Sequence, residues 1–284
     1  VMRTVECGTP VSLGTTIAGR PGADRGEALR LIIREAERRA AELGVKVILF
    51  RDFLHEELPA LGAFGHAGYR LARNLSCARM EVPWAGFADY LRSLRSSYRR
   101  RLRKRQQAFR EAGATLRLEG DYGVLSADMA RLWRSSYDHA SEYRRERLGP
   151  GFFAQVASHL AGRSSAILAE REGRLIGFCL LLHDDRTLNW LFCGLDYACS
   201  RRCCTYFNMM YRIVETAIEM GFKEIDMGIT TLAPKLDLGG REVPLFVFIK
   251  HTQPVLRSVL PALFDRVSHH ETVRGHRALR GHRG

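Results

Sequence analysis

The sequence predicts an α+β protein: a mixed sheet flanked by helices, preceded by a smaller, partial α/β half. Three observations lead there. Between residues 165 and 195, three apolar runs are separated by two short turns, the pattern of an antiparallel meander. Segments with helical periodicity stand on both sides of that meander. Near the start, a helix-period stretch leads directly into a short apolar run, the mark of an α/β layer.

Asp24 is placed to cap a first helix, whose apolar positions Leu29, Ile32, Ile33, Ala36, Ala40 and Leu43 fall three and four apart before Gly44 ends it. Val45 to Phe50 reads as a buried strand. Gly62, Gly65 and Gly68 punctuate a turn-rich stretch, and another short strand lies around Leu71 to Val82. Pro83 to Phe87 marks a boundary, so the chain divides into residues 1–85, 86–264 and a tail, 265–284.

The helix from about Phe87 to Glu111 is the strongest periodic element. Leu91, Leu94, Tyr98, Leu102 and Phe109 share one face, and basic residues cover the rest. A strand, Thr115 to Glu119, follows Gly113, then helices over Ser126 to Tyr143 and Gly151 to Ala161. The meander comprises Ser165 to Glu172, Arg174 to His183 and Thr187 to Leu195, joined at Glu172-Gly173 and Asp184-Asp185-Arg186. A helix from Thr205 to Met220 presents Phe207, Met210, Tyr211, Val214 and Ile218 on one face. Lys223 to Met227 is a strand, Gly228 to Arg241 a glycine-bearing loop, and Val243 to Lys250 a last strand.

At 284 residues and 46% hydrophobic content the chain is long enough for one large core or two smaller ones, which excludes global disorder. It has no apolar run of membrane-spanning length, and its first residues lack the pattern of a secretory signal, so a soluble, cytoplasmic protein is expected. The 7 cysteines read as reduced thiols. Cys199, Cys203 and Cys204 form the one cluster; a zinc site would need four ligands, and no metal is expected.

Net charge is +13, and it is local. Between Arg92 and Arg110 stand nine Arg or Lys residues and no acid, which suggests a polyanionic partner, although the same pattern suits a solvated helix face. The tail adds five Arg against two acids; its His269, His270, His276 and His282 lack metal-ligand spacing, and disorder is expected there.

Several phrases carry a resemblance. Tyr-Leu-Arg-Ser-Leu running into Arg-Arg-Arg-Leu-Arg-Lys-Arg and Glu-Ala-Gly-Ala (Tyr90 to Ala114) resembles the helix that opens the catalytic half of Fem-type proteins. Ala-Glu-Arg-Glu-Gly-Arg-Leu-Ile-Gly-Phe (Ala169 to Phe178) is similar to their central hairpin. Glu-Ile-Asp-Met-Gly (Glu224 to Gly228), with Lys235 and Gly239-Gly240 after it, is similar to their fifth strand and lysine-bearing loop. The order of elements is similar to the GNAT acyltransferase fold, over roughly residues 86 to 255. Upstream, Cys-Gly-Thr-Pro-Val-Ser and the helix and strand from Arg25 to Phe50 resemble the end of a first GNAT-like half, which would be incomplete.

The resemblance implies an acyl- or aminoacyltransferase. Amide formation needs an activated donor, a deprotonated amine and stabilisation of an oxyanion. In a GNAT-like sheet the reacting carbonyl lies where the fourth and fifth strands splay, here the ends of Thr187 to Leu195 and Lys223 to Met227, which puts Asp196, Asp226 and Tyr206 near the site. The matching lysine of the Fem-type loop is implicated in stabilising negative charge, a role carried over to Lys235 unless it is a solvated loop lysine. Asp226 could instead cap the loop after its strand, and Tyr206 could simply pack on its helix face. His183, at a strand end, is a candidate base or a plain surface residue.

Acetyl-CoA-dependent GNATs carry a glycine-bearing turn whose backbone amides grip a pyrophosphate. That position here reads Ser200-Arg201-Arg202-Cys203-Cys204-Thr205 and holds no glycine, although Arg201 and Arg202 could supply charge. Fem-type enzymes lack the turn because their donor is aminoacyl-tRNA. Arg99, Arg101, Arg103, Lys104 and Arg105 suit its phosphates. The expected reaction is therefore aminoacyl transfer from tRNA to an amine of a small metabolite or cell-wall precursor, without a cofactor. The alternatives are an acyl-CoA-dependent N-acyltransferase, an accessory partner of a carrier-protein synthase and a non-catalytic RNA- or polyanion-binding module.

Overall fold

The structure is a computed structural model that describes residues 3–9, 17, 19–140, 146–253, 256 and 278–279. In chain order the elements begin with β1 (Thr4–Cys7), α1 (Arg25–Glu42), β2 (Val47–Leu54), α2 (Ala63–His66), β3 (Arg70–Arg73) and β4 (Cys77–Glu81). They continue with α3 (Phe87–Ser93), α4 (Ser96–Glu111), β5 (Ala114–Glu119), α5 (Ser126–His139), α6 (Pro150–His159), β6 (Ser164–Arg171), β7 (Arg174–His183) and β8 (Thr187–Leu195). After these come α7 (Tyr197–Cys203), α8 (Thr205–Glu219), β9 (Glu224–Asp226), α9 (Leu232–Leu236), β10 (Arg241–Val243) and β11 (Leu245–His251).

Two compact units result. One comprises residues 1–77 and 242–272, the other 78–241 and 273–284. In the first, the sheet order is β1-β2-β11-β3, with β1 parallel to β2 and β11 antiparallel to both its neighbours. Asp24 caps α1 as expected, accepting from the amides of Gly26 at 2.8 Å and Glu27 at 3.1 Å. Leu29, Ile33, Ala36 and Ala40 pack onto Ile48, Phe50 and Phe248, whereas Ile32 and Leu43, expected on the same face, are exposed. Asp52 breaks β2: its φ is +71°, the ladder with β11 shifts register there, and its buried carboxylate pairs with Arg51 and accepts from Asn74 Nδ2 at 2.8 Å.

In the second unit the strands run in the order β4-β9-β8-β7-β6-β5, and every neighbouring pair is antiparallel except β8 with β9. Helices cover both faces. One face packs Leu188, Trp190, Ile176 and Cys179 against α8 through Met209, Met210 and Ile213. On the other, Phe153 of α6 meets Phe178 of β7, and Trp133 of α5 meets Phe192 of β8.

The structure corrects several expectations. The stretch from Leu71 to Val82 is two strands in different sheets: β3 belongs to the first unit, and β4 pairs with β9. The last strand likewise divides, and β11 lies in the sheet of the first unit rather than of the region 86–264. The long basic helix is interrupted at Leu94 (φ −68°, ψ 144°), where the chain turns extended to bridge Leu279 and the amide of Arg95 donates to the Ala278 carbonyl at 2.8 Å. Apolar spacing continued across the break because Leu94 is buried there, as it would be in a continuous helix. Ala278 is also buried, so this point of the tail is ordered against α3; the four tail histidines lie outside the described residues. The helix expected to reach Tyr143 ends at His139, with residues 141–145 outside the described ones.

Candidate active site

The candidate site lies where the pairing of β8 with β9 ends. The two parallel strands pair only at Thr187 with Glu224, Leu188 with Ile225 and Asn189 with Asp226; beyond those pairs β8 runs on to Leu195, while β9 ends at Asp226. Trp190 is therefore the first residue of β8 beyond the paired segment. A bulge follows at once: Leu181 of β7 opposes Trp190 and Leu180 opposes Phe192, so Leu191 is the extra residue. The bulge reverses the facing of the strand. Leu188 and Trp190 face α8, but Phe192, two residues on, meets Trp133 and Phe152 on the opposite face.

Lys235 packs against this end of the pairing. The expected loop contains a short helix, α9, and the lysine on it is 3% exposed, not solvated. Its Nζ donates to the Gly228 carbonyl at 3.3 Å and stands 5.3 Å from the centre of the Trp190 ring. The loop is anchored from several sides. Tyr90 Oη donates to the Leu238 carbonyl at 3.0 Å, and Arg101 pairs with Asp237 at 2.8 Å. Gly240 lies so close to Lys235 that a Cβ there would come within 2.9 Å of the lysine carbonyl oxygen. Thr231, just before α9, takes a left-handed conformation with φ +54°.

Tyr206 joins the cluster from the first turn of α8, its ring 5.8 Å from that of Trp190. Burial, and after it the neighbouring Cys193 thiol, pushes its phenol well above the usual range, so it remains protonated at neutral pH. Asp226 is buried at the end of β9. It accepts from Arg79 Nε at 3.1 Å and from the Gly228 amide at 2.9 Å, so it shapes the turn beside Lys235.

The other candidates stand apart. Asp196 caps α7, accepting from the Ala198 amide at 3.0 Å. Arg201 and Arg202 are exposed on the last turn of that helix. The sequence reading missed α7, although Asp196 was a legible cap. Its consequence is chemical: the segment that lacks the glycine turn of acetyl-CoA-dependent GNATs is helical as far as Cys203, and the amides of Ser200 and Cys204 are bonded to the carbonyls of Asp196 and Ser200. His183 sits at the end where β8 and β9 are still paired, against Phe222, and is not brought to Lys235. Burial and the nearby Arg163 lower its pKa, with Asp184 opposing them.

On α4 the basic residues divide. Arg99 donates to the carbonyls of Leu91 at 3.2 Å and Leu94 at 3.3 Å, closing the end of α3. Arg105 lies 3.4 Å from the centre of the Phe207 ring and donates to Tyr211 Oη at 3.1 Å. Arg101 is committed to Asp237, whereas Arg103 and Lys104 are exposed. Among the described residues no group of three or more His, Cys, Asp or Glu could hold a metal.

Comparison with known proteins decides the family. The model of the FemAB-like family, described as peptidoglycan biosynthesis/recognition, matches residues 6–239. The chain belongs to the FemAB-like family. Among solved structures, FemX superposes with a TM-score of 0.56 at 12% identity, covering 91% of this chain and 83% of FemX. The C-terminal domain of a protein provisionally named a lysylphosphatidylglycerol synthetase, from Agrobacterium fabrum, gives 0.58 at 14% identity, covering 89% of this chain and 80% of that domain. Both likenesses bear out the mixed, helix-flanked fold. A Mycobacterium tuberculosis protein provisionally named 8-amino-7-oxononanoate synthase 2 is 29% identical over 266 residues, 91% of this chain. This FemAB-like chain spans about a third (34%) of the length of that relative.

Proposed function

We propose that this FemAB-like protein forms an amide by transferring an aminoacyl group from aminoacyl-tRNA to an amine of a small metabolite or cell-wall precursor. One observation carries the reading: a buried lysine stands against Gly228 and Trp190 where the β8–β9 pairing ends, and the segment after β8 forms a helix that holds no glycine. The amine attacks the ester carbonyl, and a tetrahedral oxyanion forms. The Lys235 ammonium stabilises that charge as it develops. The Tyr206 hydroxyl, kept protonated by burial, gives its proton to the departing ribose oxygen as the carbonyl re-forms, and the amine's surplus proton returns through water to Tyr206. Asp226 holds the turn that carries the Gly228 carbonyl. Arg103 and Lys104 on α4 meet the RNA phosphates, while Arg99, Arg101 and Arg105 hold the helix in place. Arg201 and Arg202 supply further positive charge at the end of α7, and Asp196 fixes that helix.

The test is product formation from a pool of charged tRNA, with and without ribonuclease. Loss of product on RNA removal is expected. Unchanged turnover with an acyl-CoA as sole donor would overturn the tRNA reading and leave the CoA-dependent one; salt-sensitive RNA binding without transfer from any donor would leave a binding module.

A further inference from the structure

Lys235 is almost wholly removed from water, and removal from water disfavours its charged form. An ammonium that stabilises an oxyanion must be both charged and fixed. We propose that Trp190 is the positioning residue for Lys235, its indole face holding the ammonium beside the Gly228 carbonyl where the β8–β9 pairing ends. This rests on the reading of Lys235 as the oxyanion-stabilising group.

The placement of the indole is itself determined. Trp190 is 6% exposed, it follows the last β8–β9 pair, and the bulge at Leu191 lets it face α8 while Phe192 faces away. Tyr206 packs against the indole from α8, and Lys235 reaches it from α9 at 5.3 Å, within the range of attraction between a cation and an aromatic face. Gly228, whose carbonyl accepts from Nζ, lies beside the Trp190 carbonyl: a Cβ at Gly228 would be 3.7 Å from that oxygen. The end of the β8–β9 pairing thus supplies both the ring and the acceptor. Among the described residues the charged and titratable groups on the surrounding elements include Asp226 on β9 with Arg79 on β4, Asp237 after α9 with Arg101 on α4, and Tyr206 on α8. None of them is altered by a change confined to the indole ring.

The experiment replaces tryptophan by its mono-, di- and trifluorinated forms, which keep the ring's shape and drain its electron density. The protein's five lysines are labelled with ¹⁵N at Nζ, and the Lys235 resonance is identified by its loss in Lys235→Arg. The Lys235 titration midpoint is expected to fall with each fluorine, by about half to one pH unit across the series. In Trp190→Phe the same fluorination should leave it in place, since only Trp84 and Trp133 remain. Turnover should fall severalfold across the series, with the acceptor KM within twofold. A midpoint that does not move with fluorination overturns the proposal, whatever the turnover. If the midpoint moves but charged tRNA yields no product, the role of Trp190 stands and the aminoacyl-transfer reading fails.

Discussion

Lys235 shows how burial changes the meaning of a residue. A solvated loop lysine could be replaced with little effect, whereas Lys235 is buried against the Gly228 carbonyl and the Trp190 ring, the setting on which its proposed role rests. Lys235→Ala should reduce turnover by well over tenfold while leaving the melting temperature within a few degrees; normal turnover would remove it from the site. His183 has the opposite character. Its depressed pKa means that the folded state resists protonating it, so the stability it contributes is present above about pH 6.5, the unfolded value, and is lost as pH falls through the folded pKa. Denaturant titrations at pH 7.5 and 5 should differ less in His183→Gln than in the wild type, and transfer activity should survive the substitution. In the first unit, Asp52→Ala would remove one of the two carboxylates paired with the buried Arg51 guanidinium, leaving Glu6 and the Thr9 carbonyl, and would take the acceptor from Asn74 Nδ2. A loss of about 2 kcal/mol is expected in chemical denaturation.

At the scale of elements, the bulge in β8 governs the site, because the change of facing after Leu191 gives each side of the sheet its own aromatic residue. It also brings Gly194 against α5. A Cβ there would lie 2.2 Å from the Phe178 ring and 2.9 Å from the Leu132 backbone, so Gly194→Ala should cost about 3 kcal/mol and broaden the unfolding transition. The basic helix α4 yields a second contrast. Arg103→Ala with Lys104→Ala should weaken RNA binding and flatten its dependence on salt, while Arg105→Ala should lower stability through the lost Phe207 and Tyr211 contacts. The meander was legible because Glu172-Gly173 and Asp184 mark its turns in the sequence itself, the latter through amide contacts from Arg186 and Thr187. The bulge was not, since Trp190, Leu191 and Phe192 are all apolar and no alternation distinguishes the extra residue. The break at Leu94 escaped for a related reason: its cause is a bridge to Leu279, far along the chain. The place of Trp190 was hidden as well, because its register against β9 comes from pairing with residues 224–226 and not from its own segment.

Across the whole molecule, the positive charge is concentrated rather than spread, and the chain visits its first compact unit twice. The strand β11 lies between β2 and β3, so the middle of that sheet comes from residues 245–251 while its neighbours come from residues 47–54 and 70–73. No pattern within Val243 to Lys250 could announce such partners, because an apolar run specifies burial and not the strand beside it. A chain cut after residue 241 should therefore lose the first unit, with rapid proteolysis between residues 25 and 73, while protection of β6, β7 and β8 persists. The same strand sets a timetable for synthesis. As the polypeptide leaves the ribosome, β2 and β3 emerge with open edges and must wait for more than 170 further residues before the strand that separates them arrives. Over that interval the nascent first unit is a natural client for chaperones that shield unpaired strands, and it is completed only after the strands of the second unit have been made.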